Sequence, residues 1–137
     1  MESPVETRSG ELQKVSTPTA LIIVDGDVLK TYINPDTELD EEDANENIRL
    51  IWDIVKNRKY YHVIVPDPSA HITLEVASYR HHDFDSVKKA EALVIKTLAH
   101  RLLAQFYLKT RKGKNYPVRI FENENDARAW FETLRSN

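Results

Sequence analysis

Short apolar runs that suit β-strands alternate in this chain with segments whose apolar residues recur at helical spacing, and this alternation most constrains the fold. Five runs rich in β-branched or aromatic residues predict strands, at residues 20–24, 28–33, 60–65, 90–95 and 117–121. Asp25 and Gly26 between the first two runs predict a hairpin turn. Each strand after this hairpin leads into a helical segment, and a helix that connects two strands lets them lie parallel. We therefore expect one α/β domain of about five strands, mostly parallel after an N-terminal antiparallel hairpin, with four helices in the order β-β-α-β-α-β-α-β-α.

Capping residues and apolar spacing locate the helices. Asp40 precedes Glu41, Glu42 and Asp43, and Asn123 precedes the last helical segment, so both are expected to be N-caps. A short helix is expected within residues 72–80. In the first helix an apolar stripe is formed by Ala44, Ile48, Ile51 and Val55, with Trp52 beside it. In the helix at 97–109 one side carries Leu98, Leu102, Gln105 and Phe106, with Leu103 and Tyr107 beside them. In the last helix the stripe is formed by Ala127, Trp130, Phe131 and Leu134.

The composition is that of a soluble globular domain. The chain has 137 residues, of which 41% are hydrophobic and 30% charged, and this length suits a single domain. Its formal net charge of -3 provides no overall positive field, so nucleic acid is not expected as a partner. Cysteine is absent, which excludes disulfides, thiolate catalysis and cysteine-based zinc sites.

The first 18 residues differ in character from the rest. Residues 1–18 are polar, contain Pro, Ser and Thr, and show no periodicity, so we expect a disordered or frayed tail, with the domain at 19–137. They lack the basic and apolar regions of a signal peptide, and no apolar run in the chain approaches the roughly 20 residues that a membrane helix needs. These features predict a cytoplasmic protein.

Motifs that carry common chemistry are missing from the sequence. It has neither the G-x-S-x-G turn of many hydrolases nor the glycine-rich loops that hold nucleotide phosphates, and it contains only three glycines. No residue is therefore picked out as catalytic, and we expect no cofactor and no enzymatic activity.

A polar stretch at residues 78–89, SYRHHDFDSVKK, has the composition of a metal site. His81 and Asp85 stand four residues apart, so on a helix both could reach one ion, and a metal hydrolase is the alternative that they suggest. The five histidines show no H-E-x-x-H spacing, however. The interpretation that we favour is a solvated connector with no metal ligands, and we expect His62 and His100 to be structural.

Motifs in the second half of the chain, together with the order of its helices and strands, resemble a known family. The end of the chain, residues 116–134, combines a strand, a capping residue and an Ala–Trp pair, and the preceding helix carries an arginine, a small residue and two aromatics. The residues concerned are Tyr116, Pro117, Val118, Phe121, Asn123, Ala127 and Trp130, and in the helix Arg101, Ala104, Phe106 and Tyr107. With the element order, this pattern resembles the STAS and SpoIIAA-like domains over about residues 19–134, in particular a small uncharacterised branch with STAS or SEC14-like names. The resemblance implies a SpoIIAA-like fold and a regulatory module that acts through contacts with a protein partner.

The same resemblance implies a site at the start of the second helix. In the anti-sigma antagonist group of STAS domains, a serine in Asp-Ser-Ser-Gly at this place is phosphorylated by a partner kinase. The matching junction here, PDPSAHITLEV, lacks that motif, and Thr73 is also expected as an N-cap. The candidates for partner contact or phosphorylation are Ser69, Thr73 and Glu75, since a phosphate there would meet free helix amides.

Two further alternatives concern ligands. Lys109, Arg111, Lys112 and Lys114 form a local basic patch that could hold a phosphate, an anionic lipid surface or an acidic partner, although a solvated helix end also explains it. A SEC14-like domain that binds a lipid or small molecule is the second functional hypothesis, and it requires an apolar cavity between sheet and helices. A homodimer through a sheet edge or helix face is a further alternative.

Overall fold

The computed structural model describes residues 12–78, 86–110 and 116–136. In these ranges a six-stranded sheet has the order β1-β2-β3-β5-β7-β8, and β4 and β6 form a separate two-stranded pair. The strands are β1 Leu12–Ser16, β2 Ala20–Asp25, β3 Val28–Ile33, β4 Glu38–Leu39, β5 Tyr60–Pro66, β6 His71–Ile72, β7 Lys88–Val94 and β8 Val118–Phe121; the helices are α1 Glu41–Val55, α2 Leu74–Ser78, α3 Leu98–Thr110 and α4 Glu124–Arg135.

Strand pairing confirms the predicted α/β class. β2 and β3 are antiparallel, whereas β3, β5, β7 and β8 pair side by side as parallel neighbours. Gly26 turns the hairpin with a φ of 64°, a left-handed conformation that suits glycine.

The predicted N-terminal tail was wrong for residues 12–16. They form β1, which pairs antiparallel with β2 and lies at the edge of the sheet. The backbone N–H groups of Thr19 and Ala20 donate to the Thr17 hydroxyl at 3.1 and 2.9 Å, which closes the turn between these strands. Residues 1–11 of the predicted tail lie outside the described residues.

Both predicted helix caps form. The Asp40 carboxylate accepts from the backbone N–H of Asp43 at 2.9 Å, and the Asp43 carboxylate accepts in return from the backbone N–H of Asp40 at 3.2 Å, which makes a capping box. Asn123 accepts from the backbone N–H of Asp126 at 2.8 Å at the start of α4. These local bonds fix where the two helices begin.

Helices cover both faces of the sheet because side chains alternate along each strand. On one face, Ala127 and Phe131 of α4 pack against Tyr61 and Val63 of β5, with small residues of β7 beneath them. On the other face, α1, α2 and α3 cover the alternate positions of the same strands. The second face carries the site described below.

The side of α3 that faces the sheet is not the side expected from its apolar residues. Leu98, Leu102 and Phe106 are 72%, 58% and 37% exposed, while His100 and Ala104 are buried. The helix has apolar residues on two sides, and hydrogen bonds from its inner side to buried groups fix which side faces the sheet. The described residues include no helix that is long and apolar enough to cross a membrane.

Candidate functional site

A polar cluster lies within the apolar core at Glu91 of β7. Its carboxylate is fully buried, and Oε2 accepts from His62 Nδ1 at 3.0 Å and from Lys88 Nζ at 2.8 Å. Oε1 accepts from the hydroxyl of Tyr107, which reaches down from α3. Parallel pairing sets His62 of β5 directly beside Glu91, so strand register creates the cluster.

The histidine extends this network to a third strand. His62 Nδ1 faces a carboxylate, which can only accept, so this nitrogen carries a hydrogen and donates it. The other ring nitrogen, Nε2, lies 3.0 Å from the hydroxyl of Thr31 on β3. Thr31, His62 and Glu91 therefore form one chain of hydrogen bonds across β3, β5 and β7.

Glu91 is ionised despite its burial. Burial acts to raise its pKa, but the neighbouring Lys88 ammonium and the hydrogen bond from His62 together hold the pKa well below its usual range. The side chains of Lys88 and Glu91 are 3% and 0% exposed, so their opposite charges compensate each other inside the protein.

A cavity of about 180 Å³ opens between this cluster and the helices. Its remaining walls are mainly aliphatic and come from the sheet and from α1, α2 and α3. They include Ile33, Ile64 and Leu93 of the sheet and Ile51, Ala77 and Leu103 of the three helices. This arrangement is an apolar chamber with one polar wall, which is the usual composition of a small-molecule site.

Two further polar side chains line the cavity, and each has an unpaired acceptor. His100 Nε2 lies 2.7 Å from the carbonyl oxygen of Ala70, which can only accept, so Nε2 carries a hydrogen and donates it. In the tautomer with its hydrogen on Nε2 alone, Nδ1 is an acceptor. The Asn47 amide nitrogen donates to the hydroxyl of Thr19 at 2.9 Å. His100 Nδ1 and Asn47 Oδ1 are buried and have no hydrogen-bond partner among the described residues. Leaving a buried polar atom unpaired costs about 1–3 kcal/mol, so a donor brought to either atom would be stabilising.

The junction before α2 holds the three residues predicted for partner contact. The hydroxyl of Ser69 donates to Asp67 at 2.6 Å and accepts from the backbone N–H of Asp36 at 2.8 Å, which ties the turn together. Thr73 directly precedes α2, and its hydroxyl accepts from the N–H of Val76 at 3.4 Å, the expected capping position. Glu75 is exposed in the first turn of this five-residue helix.

The predicted basic patch and the suggested metal residues fall largely outside the described residues. Lys109 is exposed in the last turn of α3, whereas Arg111, Lys112, Lys114, His81 and Asp85 lie in the parts of the chain that the structure does not describe. Within residues 12–78, 86–110 and 116–136, no three His, Asp or Glu side chains are grouped so that they could hold a metal ion.

The polar cluster was missed at the sequence level, although one signal was available. Glu91 is a single charged residue within the apolar strand segment AEALVI, and a carboxylate in such a place needs a buried partner. β5, which carries His62, lies between β3 and β7 inside the sheet, and the His62 ring is buried. Both histidines expected to be structural, His62 and His100, are buried and hydrogen-bonded.

Comparison with known proteins identifies the family. A family model described as "Domain of unknown function (DUF7793)" matches residues 21–135, so the chain belongs to this family. No curated protein matches the chain. Among solved structures, it is similar to an uncharacterized protein of the DUF3478 family from Shewanella loihica PV-4, with 14% sequence identity, a TM-score of 0.48, and coverage of 95% of this chain and 98% of that chain. That protein is described as having a SpoIIAA-like fold.

Proposed function

We propose that this member of the DUF7793 family is a non-enzymatic binding domain that holds a small, uncharged, mostly apolar molecule between its sheet and α1 to α3. The observation that carries the proposal is the cavity of about 180 Å³ beside the Glu91 cluster. A solid core would have excluded the small-molecule hypothesis drawn from the sequence. The cavity makes it the better supported hypothesis, ahead of a module that acts only through protein contacts.

The size of the cavity limits the ligand. Apolar cavities of about 150 Å³ accommodate a ligand such as benzene, so this chamber suits a molecule of roughly six to ten non-hydrogen atoms. An acyl chain of membrane-lipid length would not fit within the chamber alone.

The charges around the cavity favour a neutral ligand. Lys88 and Glu91 already compensate each other, so an ion entering the chamber would lose its hydration without gaining a free counter-ion from this pair. Asn47 Oδ1 and His100 Nδ1 are both acceptors. A ligand with a hydroxyl or amide N–H group would therefore gain hydrogen bonds that a pure hydrocarbon would not.

The Thr31–His62–Glu91 chain favours a second candidate function, ester hydrolysis. Its order of hydroxyl, imidazole and carboxylate is that of hydrolase triads. We favour binding because Lys88 donates to the same oxygen of Glu91 that His62 uses, which ties the carboxylate into an ion pair. Hydrolysis of 4-nitrophenyl acetate that disappears in Thr31→Val would support the hydrolytic function instead.

Benzyl alcohol is a suitable probe, because it is neutral, has eight non-hydrogen atoms and carries one hydroxyl donor. It should raise the melting temperature of the wild-type chain in a concentration-dependent way, more than toluene does, while charged benzylamine should have little effect. Native mass spectrometry of the purified chain would show any copurified molecule directly.

Two variants of α3 separate cavity binding from other effects. Ala104→Leu fills the chamber and should abolish the response to benzyl alcohol, whereas Ala99→Leu, the same change on the exposed side of the helix, should keep it. An equal response in wild type and Ala104→Leu would contradict the proposal. Ligand-free circular dichroism establishes that both variants fold.

A further inference from the structure

The outer side of α3 is an exposed apolar stripe. Leu98, Leu102 and Phe106 follow one another at intervals of four residues, so they lie along one side of the helix. They are 72%, 58% and 37% exposed. The neighbouring helix α2, which packs against α3, exposes Leu74 to 55%. A contiguous apolar surface of this kind on a small domain indicates an interaction site.

Positive charge accompanies this stripe. On a helical projection with 3.6 residues per turn, Lys109 falls on the same side as Leu98 and Leu102. Lys109 and Lys96 are exposed, and Arg101 is half-buried on the flank of the helix. The helix itself contains no acidic residue, and the nearest acid on α2 is the exposed Glu75.

The sequence around α3 has the same bias over a longer stretch. Between Glu91 and Glu122 there is no Asp or Glu, although the whole chain has a net charge of -3. The Lys and Arg residues in this interval are Lys96, Arg101, Lys109, Arg111, Lys112, Lys114 and Arg119. An apolar stripe set in a local excess of positive charge is the pattern of a helix that lies in the interface of an anionic membrane.

We propose that the outer side of α3, formed by Leu98, Leu102, Phe106 and Lys109, docks the domain on an anionic lipid surface. The three apolar side chains enter the boundary between headgroups and acyl chains, and the lysine lies at the level of the negatively charged headgroups. The inner side of the same helix lines the cavity through His100, Leu103 and Ala104, so the docked domain presents its chamber directly behind the membrane contact. This surface is independent of the proposed ligand, and the two are tested separately.

Vesicle co-sedimentation of the full-length chain tests the proposal. The probes are vesicles of phosphatidylcholine alone and vesicles that contain about one third phosphatidylglycerol, since anionic lipid supplies the surface potential that attracts Lys and Arg. The wild-type chain should sediment with the anionic vesicles and much less with the neutral ones. Added salt should weaken the binding, because it screens exposed charges.

Matched substitutions assign the binding to α3. Lys109→Glu should weaken binding to anionic vesicles at least about fivefold, the factor that corresponds to one lost lysine at such a surface. Leu102→Gln should weaken it about tenfold through the lost apolar burial. Lys14→Glu and Leu12→Gln make the same changes at exposed positions of β1 and should leave the binding unchanged.

Three results would overturn the proposal. The first is an absence of binding to either kind of vesicle, which would exclude a lipid surface as the partner of this stripe. The second is equal binding to neutral and anionic vesicles. The third is a loss of vesicle binding in the β1 variants that equals the loss in the α3 variants. Ala104→Leu, which fills the cavity, should still bind anionic vesicles, so failure of the cavity proposal and failure of the membrane proposal give different results.

Discussion

Replacing Glu91 with glutamine should reduce the free energy of unfolding by about 3–5 kcal/mol, the usual effect of removing one partner from a buried ion pair. Lys88 Nζ lies 2.8 Å from the Glu91 carboxylate, and neither side chain has an appreciable exposed surface. Glutamine keeps the side-chain volume, so the effect comes from charge and hydrogen bonding and not from a cavity.

The hydrogen bonds of the cluster show why an amide cannot substitute. Donors from His62, Lys88 and Tyr107 converge on the two oxygens of Glu91. A glutamine offers one oxygen and one NH₂ group, and the NH₂ group would face a donor instead of accepting from it. The buried ammonium would also keep its charge without a compensating carboxylate.

Urea denaturation at neutral pH measures this effect through the midpoint and slope of the unfolding curve. Glu122→Gln, a change at an exposed glutamate, is the matched control and should alter the stability by less than about 0.5 kcal/mol. The double variant Lys88→Met/Glu91→Gln should recover part of the loss, because it also removes the uncompensated ammonium. A loss below about 1 kcal/mol for Glu91→Gln alone would refute the argument.

The pH dependence gives a second signature of the same group. The folded-state pKa of Glu91 is held below its ordinary value of 4.5, so its contribution to stability is fully present above that value and is lost as the pH falls. Below pH 4.5 the difference in stability between wild type and Glu91→Gln should shrink by about 1.4 kcal/mol per pH unit. A difference that stays constant through this range would contradict the ionised, buried carboxylate.

Two further predictions concern α4. Asn123→Ala removes the side-chain acceptor for the backbone N–H of Asp126 and should cost about 1 kcal/mol in urea denaturation, whereas Asn125→Ala should cost much less. The phenol of Tyr32 donates to the Glu124 carboxylate at 2.7 Å. Burial is the main cause, and this hydrogen bond the second, that raises the pKa of Tyr32 to about 12. The contribution of the protonated Tyr32 phenol to stability should be complete below pH 10.0 and should be lost as the pH rises towards about 12. The difference between the ultraviolet titration curves of the wild type and Tyr32→Phe should show no phenolate from Tyr32 near pH 10.0.

Local sequence signals predicted the parts of the fold that depend on neighbouring residues. The hairpin turn at Gly26 and the caps at Asp40 and Asn123 are set within a few residues of chain, and all three were predicted correctly. The parallel pairing of β3, β5, β7 and β8 also followed from the alternation of strands and helices. By contrast, β1 has no strong alternation of apolar and polar residues, and its structure depends on antiparallel pairing with β2.

The candidate site depends on contacts between residues distant in the chain, which explains why the sequence did not reveal it. Glu91 meets His62 only because β5 and β7 are neighbours in one particular register. Tyr107 reaches the same carboxylate from α3, and Thr31 joins the network from β3. Each residue alone has an ordinary packing interpretation, so neither composition nor spacing distinguishes the group.

The orientation of α3 also depends on contacts between residues distant in the chain, and it links the cavity proposal to the membrane proposal. The spacing of its apolar residues does not say which side faces the sheet, because Leu102 and Leu103 are consecutive leucines on different sides. His100 is fixed by a bond to Ala70, 30 residues earlier, and Tyr107 by a bond to Glu91, 16 residues earlier. These two polar bonds turn Leu103 towards the cavity and leave Leu102 in solvent. The buried polar groups therefore shape the chamber and also create the exposed stripe, so a change that breaks them should disturb both surfaces of the helix, whereas a change at Leu102 should disturb only the outer one.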